Sequence, residues 1–158
     1  MNIILETLFP AKVANQLRGS QIPFYAFVLY AILSTARSCI HIFAPDGGAG
    51  SIAGLDLSVP GADGIVFAFA LWGSSQLLLA LVQLLVVVRY RALVPLMWLL
   101  LALEILLREL VGRLKPVTFA HTPPGAIGNQ LVLPLALAML GWSLWSTARQ
   151  AHQSVPGK

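Results

Sequence analysis

The chain has 158 residues, of which 58% are hydrophobic and only 10% charged, and its net charge is +4. Ordinary soluble domains are roughly 45–50% apolar and about 25% charged, so this composition argues against a water-soluble domain and excludes a disordered chain. The single cysteine, Cys39, excludes an intrachain disulfide and a cysteine-rich zinc site. The composition is that of an integral membrane protein with one domain.

Residues 1–21 precede the first apolar span and lack the pattern of a signal peptide, since no basic region opens them and no cleavage site follows an apolar core. Val13 and Leu17 lie four residues apart beside basic residues, which predicts a short helix at the membrane interface. Pro10 would begin or end that helix. The alternative is a frayed terminus.

Four apolar stretches are long enough to cross a membrane, which takes about 20 residues. They are residues 22–43, 64–88, 93–111 and 127–147. Proline and glycine mark the joints between them, except where a four-residue turn, 89–92, forces an antiparallel hairpin. We therefore predict an all-α, four-helix transmembrane bundle. Residues 22–147 form the membrane domain, preceded by the interfacial segment and followed by a cytoplasmic tail, residues 148–158.

Basic residues beside the spans set the predicted orientation, because they favour the cytoplasmic side. Two of them, Arg113 and Lys115, fall on one side of a four-span chain. Six fall on the other side: Lys12, Arg18, Arg89, Arg91, Arg149 and Lys158. We therefore predict both termini inside, in a bacterial inner membrane. The positive net charge then reflects topology and attraction to anionic lipid, and we expect no nucleic-acid partner.

Polar side chains inside the spans are the candidates for function, because an ionisable group at the bilayer centre costs about 2.5–3.5 kcal/mol. Arg37 and Arg108 each lie fifteen residues into a span, so they reach the same depth. Glu104 precedes Arg108 by four residues on the same helix face. These positions predict a polar cluster in the outer half of the bundle. Its candidate ligand-binding residues are Arg37, His41, Gln76, Glu104, Arg108 and Asn129.

Three interpretations of this cluster are open. In the first, its hydrogen bonds only hold helices together. In the second, it lines a ligand pocket or an ion path, and the arginines bind an oxygen or an anionic head group, since guanidinium donors pair with such groups. In the third, Arg37 and Arg108 extend to the lipid head groups instead.

Motifs for catalysis and metal binding are weak. The glycine-rich segment 47–54 lacks the spacing of a dinucleotide-binding loop and the lysine of a phosphate-binding loop. His41 and His121 have no further ligands near them in sequence. We therefore predict no catalytic residue and no metal site, and the sequence identifies no cofactor.

The order of features resembles that of DoxX-like proteins, which are small bacterial membrane proteins of four helices. The shared features are a first span ending in Phe43-Ala44-Pro45, a glycine-bearing loop, Gly73 and Gln76 in the second span, the basic turn, and Arg108 near the end of the third. The resemblance covers residues 22–147. It implies a four-helix fold, and some members of the family are linked to quinone-dependent sulfur oxidation or thiol stress.

The leading functional hypothesis is a non-enzymatic membrane protein whose outward-facing pocket binds a lipid or a quinone-like molecule. Such a protein could be an accessory subunit of a membrane complex, or it could form a homo-oligomer. The alternative is a proton- or ion-coupled transporter acting as a dimer, with Glu104 as the protonatable group. A third hypothesis is a membrane enzyme in which Glu104 and His41 act as acid and base.

Overall fold

The computed structural model describes residues 3–17 and 19–153, and all of its regular structure in these ranges is helical. Arg18 and Lys158, two of the residues used above to predict orientation, lie outside the described residues. The five helices are α1 (Ile3–Leu8), α2 (Ile22–Phe43), α3 (Ala62–Arg89), α4 (Val94–Leu114) and α5 (Pro124–Gln153). A 3-10 turn, Arg91–Leu93, joins α3 to α4. The all-α prediction is confirmed.

The four long helices match the predicted spans closely. The bounds of α2 are the predicted ones, those of α3 and α4 differ by one to three residues, and α5 continues six residues beyond position 147. Helices α2, α3 and α5 are long and apolar enough to cross a membrane, which is the pattern of a multi-pass integral membrane protein. Helix α4 differs in carrying four charged residues: Glu104, Arg108, Glu109 and Arg113.

Helix α2 packs along α3, and α4 packs along α5. The buried positions of α3 recur every three or four residues, at Gly73, Gln76, Ala80, Gln83 and Val86. This spacing places them on one face of the helix. Gly73 lets α2 approach closely, because a Cβ atom at this position would lie 2.6 Å from the Cβ of His41. Close backbone approach at a small residue is a common way for membrane helices to associate.

An aromatic core fills the half of the bundle nearest the turn between α3 and α4. Phe27 and Trp98 are fully buried, and their rings meet edge to face with centroids 5.5 Å apart. Trp98 Nε1 also donates a hydrogen bond to the Pro23 carbonyl at 3.1 Å, so the indole is satisfied while buried. This contact joins α4 to the start of α2.

The predicted helix around Val13 and Leu17 is wrong. Residues 11–17 are irregular, and the N-terminal helix lies before them, at Ile3–Leu8. The reason is Pro10, which has no backbone donor and disfavours helical geometry in the residue before it. The helix therefore ends ahead of the proline instead of continuing through the Val13–Leu17 stretch.

The segment that follows α1 lies across one end of the bundle. The Ala14 carbonyl accepts a hydrogen bond from the Ala92 amide at 3.3 Å, and the Ser20 amide donates to Ser146 Oγ at 3.0 Å. The Gly19 amide donates to Gln150 Oε1 at 2.9 Å. The N-terminal segment, the turn between α3 and α4, and the last turns of α5 are therefore at the same end.

The loop of residues 44–61 and the connection of residues 115–123 meet at the opposite end. The Ala120 amide donates to the Gly54 carbonyl at 3.0 Å. Gly54 has a φ of +73°, and a Cβ here would lie 3.0 Å from His121 Nε2. Glycine suits this position because it tolerates the left-handed backbone and leaves room for the imidazole. We call these two segments together the roof.

Asp46 organises the first part of the roof. Its carboxylate accepts hydrogen bonds from the amides of Ser51 at 2.6 Å, Gly48 at 2.8 Å and Gly50 at 3.2 Å. The bonds from Ser51 and Gly48 favour the ionised form and lower the pKa of Asp46 to about 2. The turn is therefore stabilised by an ionised carboxylate.

This arrangement predicts a pH dependence for the roof. Asp46 has a folded-state pKa below the ordinary value of roughly 3.9, so its contribution to stability is present above about pH 4 and is lost as the pH falls through about 2. We expect the amide resonances of Ser51 and Gly48 to titrate with a midpoint near pH 2 in micelles. Asp46→Asn should abolish that transition, whereas Asp63→Asn should leave it unchanged. A midpoint near 3.9 would contradict the hydrogen bonding described here.

Candidate functional site

The side-chain amide of Gln76 lies at the centre of a polar cluster that joins three helices. Its Oε1 accepts hydrogen bonds from Arg37 Nη2 of α2 at 2.8 Å and from Arg108 Nη2 of α4 at 3.2 Å. Its Nε2 donates to Glu104 Oε1 at 2.9 Å. Glu104 and Arg108, one turn apart on α4, also form an ion pair. The structure thus brings together four of the six predicted site residues, which we call the Arg-Gln-Glu cluster.

The cluster carries one more positive charge than negative. Arg37 and Arg108 contribute two positive charges and Glu104 one negative charge. The Glu104–Arg108 contact is the only ion pair within residues 3–17 and 19–153, so Arg37 has no carboxylate partner there. Arg37 is half-buried, and the Glu104 and Arg108 side chains are each 23% exposed. A partly desolvated positive charge therefore remains at this point in the bundle.

Trp72 completes the site, although it is not among the predicted ligand-binding residues. The guanidinium carbons of Arg37 and Arg108 lie 5.1 and 5.6 Å from the centroid of its indole ring. Cation–π contacts of this kind are worth about 0.5–2 kcal/mol each, depending on desolvation. The sequence does indicate that Trp72 shares a helix face with Gln76, because it precedes Gln76 by one helical turn.

His41 does not join the hydrogen bonds of the Arg-Gln-Glu cluster. Its Nδ1 donates to the Gly47 carbonyl at 2.7 Å, which ties the end of α2 to the roof. Its ring lies 4.8 Å from Trp72 and 5.8 Å from Phe69, measured between centroids. His41 therefore connects the end of α2 to the roof and lies beside aromatic side chains, without a hydrogen bond to the arginines.

A cavity of about 480 Å³ opens beside the cluster. Its lining includes the side chains of Tyr30, Arg37, His41, Trp72, Arg108 and Asn129, together with the ring of Phe69. The side chains of Leu101, Ile105 and Val132 contribute apolar walls, and Ile52 and Phe119 belong to the roof. The volume lies within the range of roughly 300–1,000 Å³ that is usual for small-molecule sites. The cavity therefore combines an apolar wall with a few polar groups at one place.

The six predicted residues divide into two groups around this cavity. Arg37, Arg108, His41 and Asn129 line it, whereas Gln76 and Glu104 lie behind the two arginines. The side chain of Asn129 makes no hydrogen bond to another described residue and is available to a ligand. Tyr30 was not predicted, although it lies seven residues before Arg37 and so shares its helix face. Its ring lies 6.3 Å from that of Trp98, in the direction of the aromatic core.

The chemistry available at the site is recognition through hydrogen bonds and charge. In the described ranges, no group of three or more His, Cys, Asp or Glu side chains is placed to hold a metal ion. Glu104 is engaged by Arg108 and Gln76 and is not among the cavity-lining residues. An acid–base pair of Glu104 with His41 therefore has no support in this geometry.

Comparison with known proteins found no matching family model, no matching curated protein and no matching solved structure. The resemblance to DoxX-like proteins therefore stays a prediction.

Proposed function

We propose that this chain is a four-span membrane protein that binds an amphipathic molecule, a lipid or a quinone-like compound, in the cavity beside the Arg-Gln-Glu cluster. The observation that carries the proposal is the presence of two guanidinium groups on the wall of a largely apolar cavity. Hydrophobic walls with a few well-placed polar groups are typical of sites for small molecules.

Helix α4 is the proposed fourth span, and its charges are compatible with a membrane. It has 21 residues, enough to cross the hydrocarbon layer. Glu104 and Arg108 face Gln76 and Trp72, so their charges are directed into the protein. Glu109 and Arg113 lie nearer the end of the helix, where head groups and water are accessible. The DoxX-like resemblance implies the same number of helices.

We further propose that both termini lie in the cytoplasm and that the cavity faces outward in a bacterial inner membrane. The end of the bundle that holds the N-terminal segment, the turn between α3 and α4, and the last turns of α5 carries Lys12, Arg89, Arg91 and Arg149. This concentration of positive charge favours the inside. The roof is at the opposite end. This arrangement is compatible with an accessory role in a membrane complex and with assembly into a homo-oligomer.

A proton- or ion-coupled transporter acting as a dimer is the second candidate, and one observation favours it. Gln83 is 4% exposed, and its Oε1 has no hydrogen-bond partner in the described part of the chain. It lies two turns from Gln76, so a water molecule beside it would extend the polar groups toward the cytoplasmic end. However, the fully buried Phe27 and Trp98 pack in that half of the bundle. Proton flux into liposomes that persists in Glu104→Gln would contradict this candidate.

Ligand retention tests the leading proposal. We expect native mass spectrometry of the protein in mild detergent to find a retained lipid or quinone, and Arg37→Met to reduce its occupancy about tenfold, equivalent to about 1.4 kcal/mol. Arg37→Met leaves the Glu104–Arg108 pair intact, so it disturbs the remaining charges least. Arg91→Met is the matched control, because this arginine also stacks on a ring, that of Phe24 at 4.9 Å, at the other end of the bundle. A wild-type protein without any retained amphiphile would contradict the proposal.

A further inference from the structure

The charge balance of the cavity indicates which kind of head group it accepts. Its ionisable lining residues are Tyr30, Arg37, His41 and Arg108, and no described acidic residue is among them. Glu104, behind the wall, compensates one of the two guanidinium charges. A positive charge left without a partner in partly apolar surroundings is unfavourable. One negative charge on a ligand would therefore complete the balance.

Both arginines line the cavity and have N–H donors that no other described residue uses. A guanidinium group carries five N–H donors. Arg37 uses Nη2 to reach Gln76, and Arg108 uses Nη2 for both Gln76 and Glu104. The Nε and Nη1 groups of both arginines make no hydrogen bond to another described residue. Two such side chains beside one cavity match the acceptor oxygens of a carboxylate or phosphate group.

A neutral ligand would match the two arginines less completely, because it would use their N–H donors without balancing their charge. The carbonyl oxygen of a quinone can accept hydrogen bonds but brings no charge, so the excess positive charge would stay uncompensated. A phosphate monoester carries about −1.5 to −2 charges at neutral pH, which is more negative charge than the single excess positive charge of the cluster requires. A carboxylate or a phosphodiester carries a single negative charge and meets both requirements.

We infer that the cavity binds an amphiphile whose head group carries one negative charge, with its oxygens on Arg37 and Arg108 and its hydrocarbon part along Leu101, Ile105 and Val132. The inference rests on the proposed function and makes it more specific. Two sources supply this chemistry, a long-chain carboxylate and a phosphodiester lipid such as phosphatidylglycerol.

Binding to matched probes tests the inference. The full chain, in nanodiscs of zwitterionic lipid at alkaline pH, is titrated separately with radiolabelled oleate, methyl oleate, a short-chain ubiquinone and phosphatidylglycerol. We expect oleate or phosphatidylglycerol to bind at least about tenfold more tightly than methyl oleate and the ubiquinone. Whichever of the two anions binds more tightly identifies the source of the head group.

Arg37→Met provides a readout that a simple loss of folding would not give. In this variant Arg108 and Glu104 form a neutral pair, so oleate and methyl oleate should bind about equally tightly. Binding of methyl oleate itself should be retained. Arg91→Met should keep the wild-type preference. Tighter or equal binding of methyl oleate or the ubiquinone by the wild type would overturn this inference and leave the proposed function standing. Binding of none of the four probes would overturn both.

Discussion

Glu104→Gln is expected to destabilise the protein by about 3 kcal/mol, near the lower end of the range for breaking a buried ion pair. The substitution keeps the size of the side chain but removes the only carboxylate of the Arg-Gln-Glu cluster. Arg37 and Arg108 would then place two uncompensated positive charges around the Gln76 amide. The lower end applies because Glu104 and Arg108 are each 23% exposed, so water still screens part of the charge.

Thermal or denaturant unfolding in micelles measures this loss, and α4 itself supplies the control. Glu109→Gln removes a carboxylate one position after Arg108, from a residue outside the described ion pair, and should change stability by less than about 1 kcal/mol. Adding Arg108→Met to Glu104→Gln restores the wild-type charge, so the double variant should be more stable than Glu104→Gln alone. Equal stability of Glu104→Gln and Glu109→Gln would show that the cluster does not hold the helices as described.

Gly73→Ala is expected to lower stability by about 1–3 kcal/mol, the usual cost of inserting a methyl group into a packed contact. The new Cβ would lie 2.6 Å from His41 Cβ and 3.2 Å from the His41 carbonyl carbon. Because one of these atoms belongs to the backbone, α2 would have to move away from α3. That movement would lengthen the hydrogen bond from Arg37 of α2 to Gln76, which lies three residues after Gly73 on α3.

The same substitution elsewhere on α3 separates this steric effect from helix propensity. Alanine at Gly64 would meet nothing within 4 Å, and alanine favours a helix over glycine by up to about 1 kcal/mol. Gly64→Ala should therefore leave the unfolding temperature unchanged or raise it, whereas Gly73→Ala lowers it. Parallel behaviour of the two variants would contradict the close crossing of α2 and α3.

The spans were predictable because their signal lies in each segment alone. A long apolar stretch ends where proline, glycine or charge appears, and residues 22–43 were bounded correctly on that basis. The N-terminal helix was misplaced for a related reason. The spacing of Val13 and Leu17 favours a helix, but Pro10 ends the helix before that stretch.

The site was predictable only to the extent that the depth of a residue in the membrane determines which side chains can meet. Counting residues along the spans placed Arg37 and Arg108 at one level, and the structure joins both to Gln76. Depth does not determine the rotation of one helix relative to its neighbour. For that reason the contacts of Trp72 with both arginines, and the bond of His41 to the roof, could not be derived from one sequence.

The neutral amide of Gln76 has a consequence for the surroundings in which the protein can work. An amide gains and loses no proton between acid and neutral pH. A carboxylate in the same central place would let the junction loosen whenever the medium became acidic. With glutamine there, the oxygen that accepts the hydrogen bonds of Arg37 and Arg108 is the same in acidic and in neutral surroundings.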